Sequence, residues 1–269
     1  MRRSLSDRAL DWAGRVLVAL ILGFVLLPFA VVAVASFNDG ALLRFPPENW
    51  SLRWYRNAFA YADFARGLWN SLWIAAVGST GALAAGAGFA YVLDRYDFPL
   101  KPALHAVLMA PLVIPNFTIG LGLLILAASL AIPRGHGMIA FLHVIIVLPF
   151  VIRSVYVSLQ NLDARLEAAA SSLGAGPGRV LRTVTAPLLA PGLAAGWLFA
   201  AILSFNEFTA SLFVVSRTTQ TLPVAMYNYV REYADPTLAA ISVVYVVAVA
   251  CVLLIVHRLF RLEKVLNVE

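Results

Sequence analysis

The stretch RLEAAASSLGAG, residues 165–176, interrupts a chain that otherwise consists mainly of apolar runs of membrane-spanning length. It carries one basic and one acidic residue, three consecutive alanines and two glycines. Apolar residues recur at helical spacing just before it and through it, at Leu162, Leu166, Ala169 and Leu173. Gly174 supplies a helix stop, and the glycines around Pro177 favour a turn. The pattern predicts a short amphipathic helix followed by a turn, lying outside the membrane.

The composition on either side of this stretch is that of an integral membrane protein. Of the 269 residues, 61% are hydrophobic and 13% are charged, whereas soluble domains carry about 25% charged residues. A helix needs about 20 apolar residues to cross a bilayer core, and six runs of that kind occur, at residues 16–37, 68–93, 103–130, 137–159, 188–215 and 238–256. We therefore predict an all-α polytopic membrane protein with a single transmembrane domain over residues 1–269, in which residues 160–187 form the longest loop on one side.

The basic residues indicate the orientation. With a cytoplasmic amino terminus, thirteen of the twenty Lys and Arg residues fall in cytoplasmic segments, so the positive-inside rule favours placing both termini in the cytoplasm. The alternative for the amino terminus is a cleaved secretory signal, since Arg2 and Arg3 precede an apolar run. That run is longer than the roughly 7–15 residues of a signal peptide, which favours an uncleaved first span.

The net charge of +6 does not indicate a nucleic-acid partner. The basic residues stand singly at the ends of apolar runs and form no cluster. Cys251 lies inside an apolar run, so we interpret it as a packing residue rather than part of a disulfide framework. The chain also has no phosphate-binding loop of the G-x-x-x-x-G-K-[ST] type, no catalytic motif and no metal-ligand motif. We therefore expect neither an enzyme nor a metal or other cofactor in this chain.

Two segments on the opposite side from residues 160–187 are more than plain connectors. Residues 45–59, FPPENWSLRWYRNAF, interleave aromatic and arginine side chains, which is typical of an interfacial helix; a partner-contact surface is the alternative. Residues 216–237 contain Leu222-Pro223 followed by a short amphipathic pattern. This long loop either packs over the mouth of the bundle or meets a partner protein.

The spacing of the opening stretch resembles a known motif. Glu167-Ala168-Ala169, Gly174 seven residues after the glutamate, and Pro187 thirteen residues further on resemble the EAA loop of the membrane subunits of bacterial binding-protein-dependent ABC importers. Further stretches resemble the spermidine/putrescine branch of that family; they are SLRWYRNAF, APLVIPNFTIGLGLLIL, HVIIVLPFV, SFNEFTASLF, TLPVAMYNYV and ADPTLAAIS. On these residues the chain is identified as a member of the family.

The resemblance implies a type I importer permease fold, with six transmembrane helices and a cytoplasmic coupling helix that docks in a groove of an ATPase subunit. Glu167 would anchor this helix by charge-assisted contacts, Ala168 and Ala169 would permit close approach, Gly174 would permit the turn, and Leu166 and Leu173 would belong to the same surface. The implied partners are an ATPase dimer that binds ATP and Mg, a second permease subunit that is identical or different, and a periplasmic solute-binding protein. The implied location is the bacterial inner membrane.

Polar residues inside the apolar runs are candidates for the substrate path, because an ionisable side chain in a membrane helix usually faces a cavity or a partner. Glu207 is the only acid well inside a run, and we assign it to the path together with Asn206, Phe205 and Asn116. The alternative for Glu207 is a structural hydrogen bond that locks the fifth span to a neighbour. Relatives commonly carry a carboxylate at the position of Asn116 and a second one beside Glu207, and these departures put a multiply charged polyamine substrate in doubt.

The alternative function is a proton-coupled secondary transporter. Such a carrier would need ionisable residues distributed through the bundle and usually an internal repeat, whereas this sequence offers one acid, His143 and no evident repeat. A lone buried histidine more often bonds to a neighbouring helix than relays protons. Small residues at four-residue spacing, at Gly78, Ala82 and Gly86, predict a close helix contact, either within the chain or with a second permease.

Overall fold

A computed structural model describes residues 5–260, with side chains described from Leu10 to Cys251 and at Leu254. The described chain is almost entirely helical. In chain order the helices are α1 (Leu5–Ala35), α2 (Arg53–Ala60), α3 (Ala62–Arg95), α4 (Lys101–Met109), α5 (Asn116–Ser129), α6 (His136–Gln160), α7 (Ala164–Ser172), α8 (Pro177–Val180), α9 (Ala186–Asn206), α10 (Ser211–Val214), α11 (Leu222–Glu232) and α12 (Thr237–Phe260).

Four helical segments are long and apolar enough to cross a membrane. They are Leu10–Ala35, Ala62–Arg95, His136–Gln160 and Pro177–Asn206. A fifth candidate is the bent pair Lys101–Leu112 and Asn116–Ser129, and the apolar stretch Thr237–Cys251 opens α12. Each of the six apolar runs in the sequence therefore overlaps helical structure.

The third run, predicted as one span over residues 103–130, is two helices that meet at an angle of 104°. Helix α4 ends in a 3-10 turn over Ala110–Leu112, and α5 starts at Asn116 after Pro115, whose backbone is extended (φ −57°, ψ 136°). Proline disfavours helical geometry at the residue before it and has no N–H to donate. Pro111 and Pro115 thus lie where one continuous helix cannot form, so the run predicted as a span over residues 103–130 is a bent pair of helices.

The fifth run, predicted as a span over residues 188–215, is also interrupted. Helical structure begins earlier, with α8, passes through a π-helical turn at Leu181–Thr185 and ends with α9 at Asn206. Glu207 is extended (φ −70°, ψ 117°), and the helix resumes only at α10. Glu207 is therefore a helix-terminating residue, not a position inside a continuous helix.

The chain forms two compact units. Among the described residues, one unit comprises those up to Tyr61 together with Asn228–Leu253, and the other comprises Ala62–Tyr227 and the described residues after Leu253. In the first unit, Phe37 packs against the rings of Trp50 and Tyr55 at centroid distances of 5.9 and 5.2 Å. Ser36 shares a 2.7 Å hydrogen bond with the Tyr55 hydroxyl, so α2 is fastened to the end of α1.

The core of the second unit is formed by α3, α6 and α9. The small-residue stripe of α3 faces α6: a Cβ at Gly78 would lie 3.1 Å from the Cβ of His143, and one at Gly86 would lie 2.9 Å from Val151. Ala82, between them, is fully buried. The predicted close helix contact is therefore present within the chain, because small side chains let two helix backbones approach.

The loop before α11 is fastened to α3 within the second unit. The side-chain amide of Asn70 donates to the carbonyls of Thr218 and Gln220 at 3.1 and 2.9 Å, and the Leu222 N–H donates to the Ser71 hydroxyl at 2.8 Å. Leu222 is buried as well. Of the two alternatives for residues 216–237, this part of the loop packs on the helices.

Candidate functional site

The predicted coupling segment folds as the short helix α7, with a capping interaction at each end. At its start the Asp163 carboxylate accepts a hydrogen bond from the Arg165 N–H at 2.9 Å, which satisfies one of the unpaired N–H groups of a first turn. At its end Gly174 adopts φ +85°, and the N–H groups of Gly174 and Ala175 donate to the carbonyls of Ser171 and Ala170. This is a Schellman motif, which needs a left-handed residue at the position of Gly174.

Glu167 binds inward, to two segments of its own chain. Its Oε1 accepts a 2.6 Å hydrogen bond from the Thr185 hydroxyl. Its Oε2 lies 2.8 Å from a terminal guanidinium nitrogen of Arg95; since that nitrogen is not aligned for a hydrogen bond, we describe this contact as an ion pair. Arg95 is the last residue of α3, and Thr185 directly precedes α9. The carboxylate therefore joins α7 to the ends of two long helices.

The other face of α7 is open. Leu173 is 89% exposed and Leu166 is 47% exposed, and Ala168 and Ala169 are exposed as well. Two apolar side chains and two methyl groups on one short helix form a surface that a second protein can approach closely. We call Leu166, Ala168, Ala169 and Leu173 the outer face of α7.

A second cluster lies where α9 breaks. The Glu207 side chain is buried; its Oε2 accepts from the Asn116 amide at 2.7 Å, and its Oε1 accepts from the Ala210 N–H at 2.7 Å. Asn116 is the first residue of α5. These bonds hold the start of α5 against the break between α9 and α10. The arrangement fits the alternative interpretation of Glu207, in which its side chain forms a structural hydrogen bond to a neighbouring helix. A role in the substrate path stays a prediction.

Next to this cluster, His143 is buried and bonded on both ring nitrogens. Nδ1 lies 2.6 Å from the Ser204 hydroxyl and Nε2 lies 2.9 Å from the Ser211 hydroxyl. The Ser211 hydroxyl donates to the Glu207 carbonyl at 3.2 Å, so this network assigns the proton to Nε2 and makes Nδ1 the acceptor from Ser204. His143 thus links α6 to α9 and α10.

The predicted pathway residues differ in their surroundings. Asn206 is exposed and its amide donates to the Ile202 carbonyl of its own helix at 2.7 Å, while Phe205 is half-buried. Within the predicted set, a hydrogen bond joins Asn116 directly to Glu207.

Sequence reasoning missed Arg95, Thr185, Ser204 and Ser211 as partners in these clusters. Arg95 carries a sequence signal, as a basic residue at the end of an apolar run, but a span-end arginine ordinarily marks only the membrane boundary. Serines and threonines are common within membrane helices, so the other three carry no comparable signal. No three His, Cys, Asp or Glu side chains within residues 10–251 are grouped so as to hold a metal ion.

Comparison with known proteins identifies the family. Residues 82–263 match the family model described as binding-protein-dependent transport system inner membrane component. The chain is 30% identical to the spermidine/putrescine transport system permease protein PotC of Escherichia coli (strain K12) over 247 residues, which are 91% of this chain and 92% of PotC. It is 33% identical to the putrescine transport system permease protein PotI of the same strain, with 92% of each chain covered.

A third relative has a different named solute. The putative 2-aminoethylphosphonate transport system permease protein PhnV of Salmonella typhimurium (strain LT2) is 31% identical, with 94% of each chain covered. Among solved structures, a chain of a bacterial ABC transporter involved in the import of the acidic polysaccharide alginate superposes with a TM-score of 0.72 at 17% identity, covering 96% of this chain and 99% of that one. The fold is therefore that of an ABC importer permease, and the chain belongs to the family of binding-protein-dependent transport system inner membrane components.

Proposed function

We propose that this permease subunit accepts a small solute from a periplasmic binding protein and passes it across the inner membrane by alternating access, driven by ATP hydrolysis in a separate ATPase subunit. The observation that carries the coupling step is the two-sided chemistry of α7. One side is joined to the ends of α3 and α9 through Glu167, and the outer face is exposed and apolar.

This arrangement connects the proposed ATPase contact on α7 to the long helices α3 and α9. In the proposal the outer face of α7 sits in a groove of the ATPase, so that closure of the ATPase dimer moves α7. Glu167 passes the movement to Arg95 at the end of α3 and to Thr185 at the start of α9. Because α3, α6 and α9 form one packed core, the displacement moves the bundle as a body, which is how alternating access is usually achieved. ATP and Mg belong to the partner.

The remaining partners follow from this role. The proposed assembly contains an ATPase dimer, a second permease subunit and a periplasmic binding protein; the alginate transporter that shares this fold was also solved in complex with an alginate pentasaccharide-bound periplasmic protein. Both termini, and α7 with them, are proposed to face the cytoplasm, as the positive-inside count favours.

For the solute, we propose a polyamine, an aminophosphonate or a related small polar compound. The named solutes of PotC, PotI and PhnV are spermidine, putrescine and 2-aminoethylphosphonate, and all three carry a protonated primary amine. Glu207, a buried acid of the described bundle, has both oxygens engaged by Asn116 and Ala210. We therefore expect the binding protein, rather than a set of carboxylates in this chain, to select the solute.

The test of the coupling step is uptake into vesicles that contain the full assembly, with the ATPase, the second permease and the binding protein. Leu173→Glu places a charge on the outer face of α7, and Glu167→Gln removes the ion pair with Arg95. We expect both variants to lose at least about tenfold in putrescine, spermidine or 2-aminoethylphosphonate taken up per ATP hydrolysed. Glu167→Gln removes a hydrogen-bonded charge, which costs about 1.5–3 kcal/mol, and Leu173→Glu buries an unpaired charge in the proposed apolar contact with the ATPase.

The matched control is Glu48→Gln, which removes an exposed glutamate bound to Arg44 in a loop of the other unit. It should transport like the parent. If Leu173→Glu also keeps the parent's uptake per ATP, the outer face of α7 is not where the ATPase docks.

A further inference from the structure

A cavity of about 800 Å³ lies between α4, α6 and the end of α3. Its polar lining is basic: Lys101 and His105 come from α4 and Arg153 from α6, with Tyr156 one turn further along. The rest of the lining is apolar and is formed by Leu93, Pro102, Met109, Leu112, Ile152 and Val157. Within the described residues the lining includes no acid, so the cavity presents positive charge against apolar walls.

Arg153 is the strongest feature of this cavity. It lies inside α6, seven residues before the helix ends, and its side chain is exposed. No hydrogen bond or ion pair joins its guanidinium to another side chain in the described part of the chain. Lys101, by contrast, is paired with the exposed carboxylate of Asp97 at 2.8 Å, and this ammonium lowers the pKa of Asp97. An uncommitted guanidinium in a concave, partly apolar site is a ready ligand for an anion.

The volume and lining of the cavity indicate which kind of anion it would bind. A guanidinium fork matches two oxygens of a phosphate or phosphonate, and the first turn of α4, which contributes Lys101 and Pro102, adds the positive end of a helix dipole. The volume exceeds that of a free phosphate ion and falls within the roughly 300–1,000 Å³ of small-molecule sites. The apolar walls suit a hydrocarbon attached to the anion.

The position of the cavity is also informative. Leu93 and Lys101 lie on either side of Arg95 in sequence, and Arg95 pairs with Glu167 of α7. The cavity therefore lies at the end of the bundle that carries the coupling helix. Basic pockets between membrane helices on that side are typical sites for anionic lipid head groups, although a small soluble phosphonate presents the same group.

We propose that this cavity binds a phosphate or phosphonate group carried on an apolar or short alkyl body, with Arg153 as the principal ligand and Lys101 as a second one. The two sources of such a group are a membrane lipid and a soluble compound. The proposal does not depend on the coupling role of α7, because it is tested by binding rather than by transport.

The experiment uses the full chain in nanodiscs of phosphatidylcholine. For the lipid source, phosphatidylglycerol is added and the number of molecules retained on the protein is counted by native mass spectrometry. For the soluble source, 2-aminoethylphosphonate and inorganic phosphate are titrated and the shift in melting temperature is recorded, with chloride at equal ionic strength as the reference. The variants are Arg153→Gln, Asp97→Asn and Arg134→Gln, and far-UV circular dichroism verifies that each is folded.

We expect Arg153→Gln to weaken binding at least about tenfold, as loss of a charge-assisted hydrogen bond predicts. Asp97→Asn frees Lys101 and should tighten binding by about two- to fivefold, the scale of an exposed ion pair. Arg134→Gln removes an exposed arginine outside the cavity and should bind like the parent.

The lipid experiment and the soluble-ligand experiment together identify which compound carries the bound phosphate or phosphonate group. Retention of phosphatidylglycerol that is lost in Arg153→Gln supports a lipid head group, and a phosphonate-dependent melting shift that is lost in the same variant supports a soluble compound. The proposal is overturned if neither ligand binds above the chloride reference, or if Arg134→Gln weakens binding as much as Arg153→Gln does.

Discussion

At the scale of single residues, the site around Glu207 shows which contacts can be predicted from sequence and which cannot. The acid and Asn116 are both identifiable as polar groups inside apolar runs, and the structure joins them at 2.7 Å. The Ala210 N–H that completes the site is not identifiable, because it becomes a partner only through the break in the helix after Asn206. Likewise, the pairing of Glu167 with Arg95 and Thr185 depends on how three helix ends pack.

Removing the Glu207 carboxylate should destabilise the bundle. Glu207→Ala leaves the buried Ala210 N–H without its acceptor, which costs about 1–3 kcal/mol, and the half-buried Asn116 amide loses its acceptor as well. Thermal unfolding of the detergent-purified chain should therefore show a clear drop in melting temperature, whereas the exposed Glu48→Ala should not. An unchanged melting temperature combined with lost transport would assign Glu207 to the solute path instead.

Tyr229 should resist ionisation at alkaline pH. Burial raises its pKa, and the neighbouring Asp235 carboxylate, which accepts from its hydroxyl at 3.0 Å, raises it further against the opposing contribution of Thr237. Because the folded-state pKa exceeds the unfolded value of about 10, the stability that Tyr229 contributes is complete below pH 10 and is lost as the pH rises through the folded-state pKa.

An ultraviolet titration of tyrosine ionisation measures this directly. The parent should contain a late-titrating tyrosine that is absent from Tyr229→Phe, and the melting temperature of the variant should fall less steeply above pH 10. Equal titration curves for the two proteins would show that Tyr229 ionises like an exposed tyrosine.

At the scale of elements, hydropathy predicts where helices occur but not where they break. Apolar runs at 103–130 and 188–215 are long enough for unbroken spans, and the structure breaks both. Pro111 and Pro115 explain the first break in retrospect. No proline lies at the second break; the chain leaves the helix at Glu207, where the carboxylate accepts a hydrogen bond from the backbone N–H of Ala210, three residues further on. Hydropathy periodicity does not encode this local contact.

The contact between α5 and the second break can be tested with glycines on one helix. A Cβ at Gly120 would lie 2.5 Å from the carbonyl oxygen and 2.8 Å from the Cα of Ala210, whereas a Cβ at Gly122 would meet nothing within 4 Å. Backbone atoms cannot swing aside, so Gly120→Ala should cost about 1–3 kcal/mol through overpacking. The difference in melting temperature between Gly120→Ala and Gly122→Ala measures this cost, and equal values would contradict the close approach.

Two glycines at and after the end of α7 allow a similar comparison of substitutions. Gly174 holds φ +85° with no atom within 4 Å of an added Cβ, and Gly178 has equal space without the positive φ. Gly174→Val should therefore cost about 1–3 kcal/mol of backbone strain, which alters the exit of the chain from α7 and reduces uptake per ATP in the reconstituted assembly. Gly178→Val, which adds the same side-chain volume, should keep the parent's uptake per ATP. Equal losses of uptake in the two variants would mean that the added volume, and not the positive φ at Gly174, causes the loss.

At the scale of the whole molecule, the family and the fold were both accessible from sequence, because the EAA spacing and the apolar runs are local patterns. The proposed division of labour makes a further prediction. Vesicles that contain this chain and its permease partner should not concentrate putrescine under a proton gradient, and adding the ATPase, the binding protein and ATP should start uptake. Accumulation driven by the proton gradient alone would instead support a secondary transporter.

The separation of the two sides of α7 has a consequence for how such importers diversify. The outer face of α7 is separate from the contacts that the Glu167 carboxylate makes with Arg95 and Thr185. Under the proposed function we therefore expect recognition of the ATPase and attachment to the long helices to vary independently. A chimera that carries another importer's six residues at positions 168–173 should take on that importer's ATPase preference while keeping the melting temperature of the parent chain. One permease scaffold would then work with a different ATPase after changes at six positions.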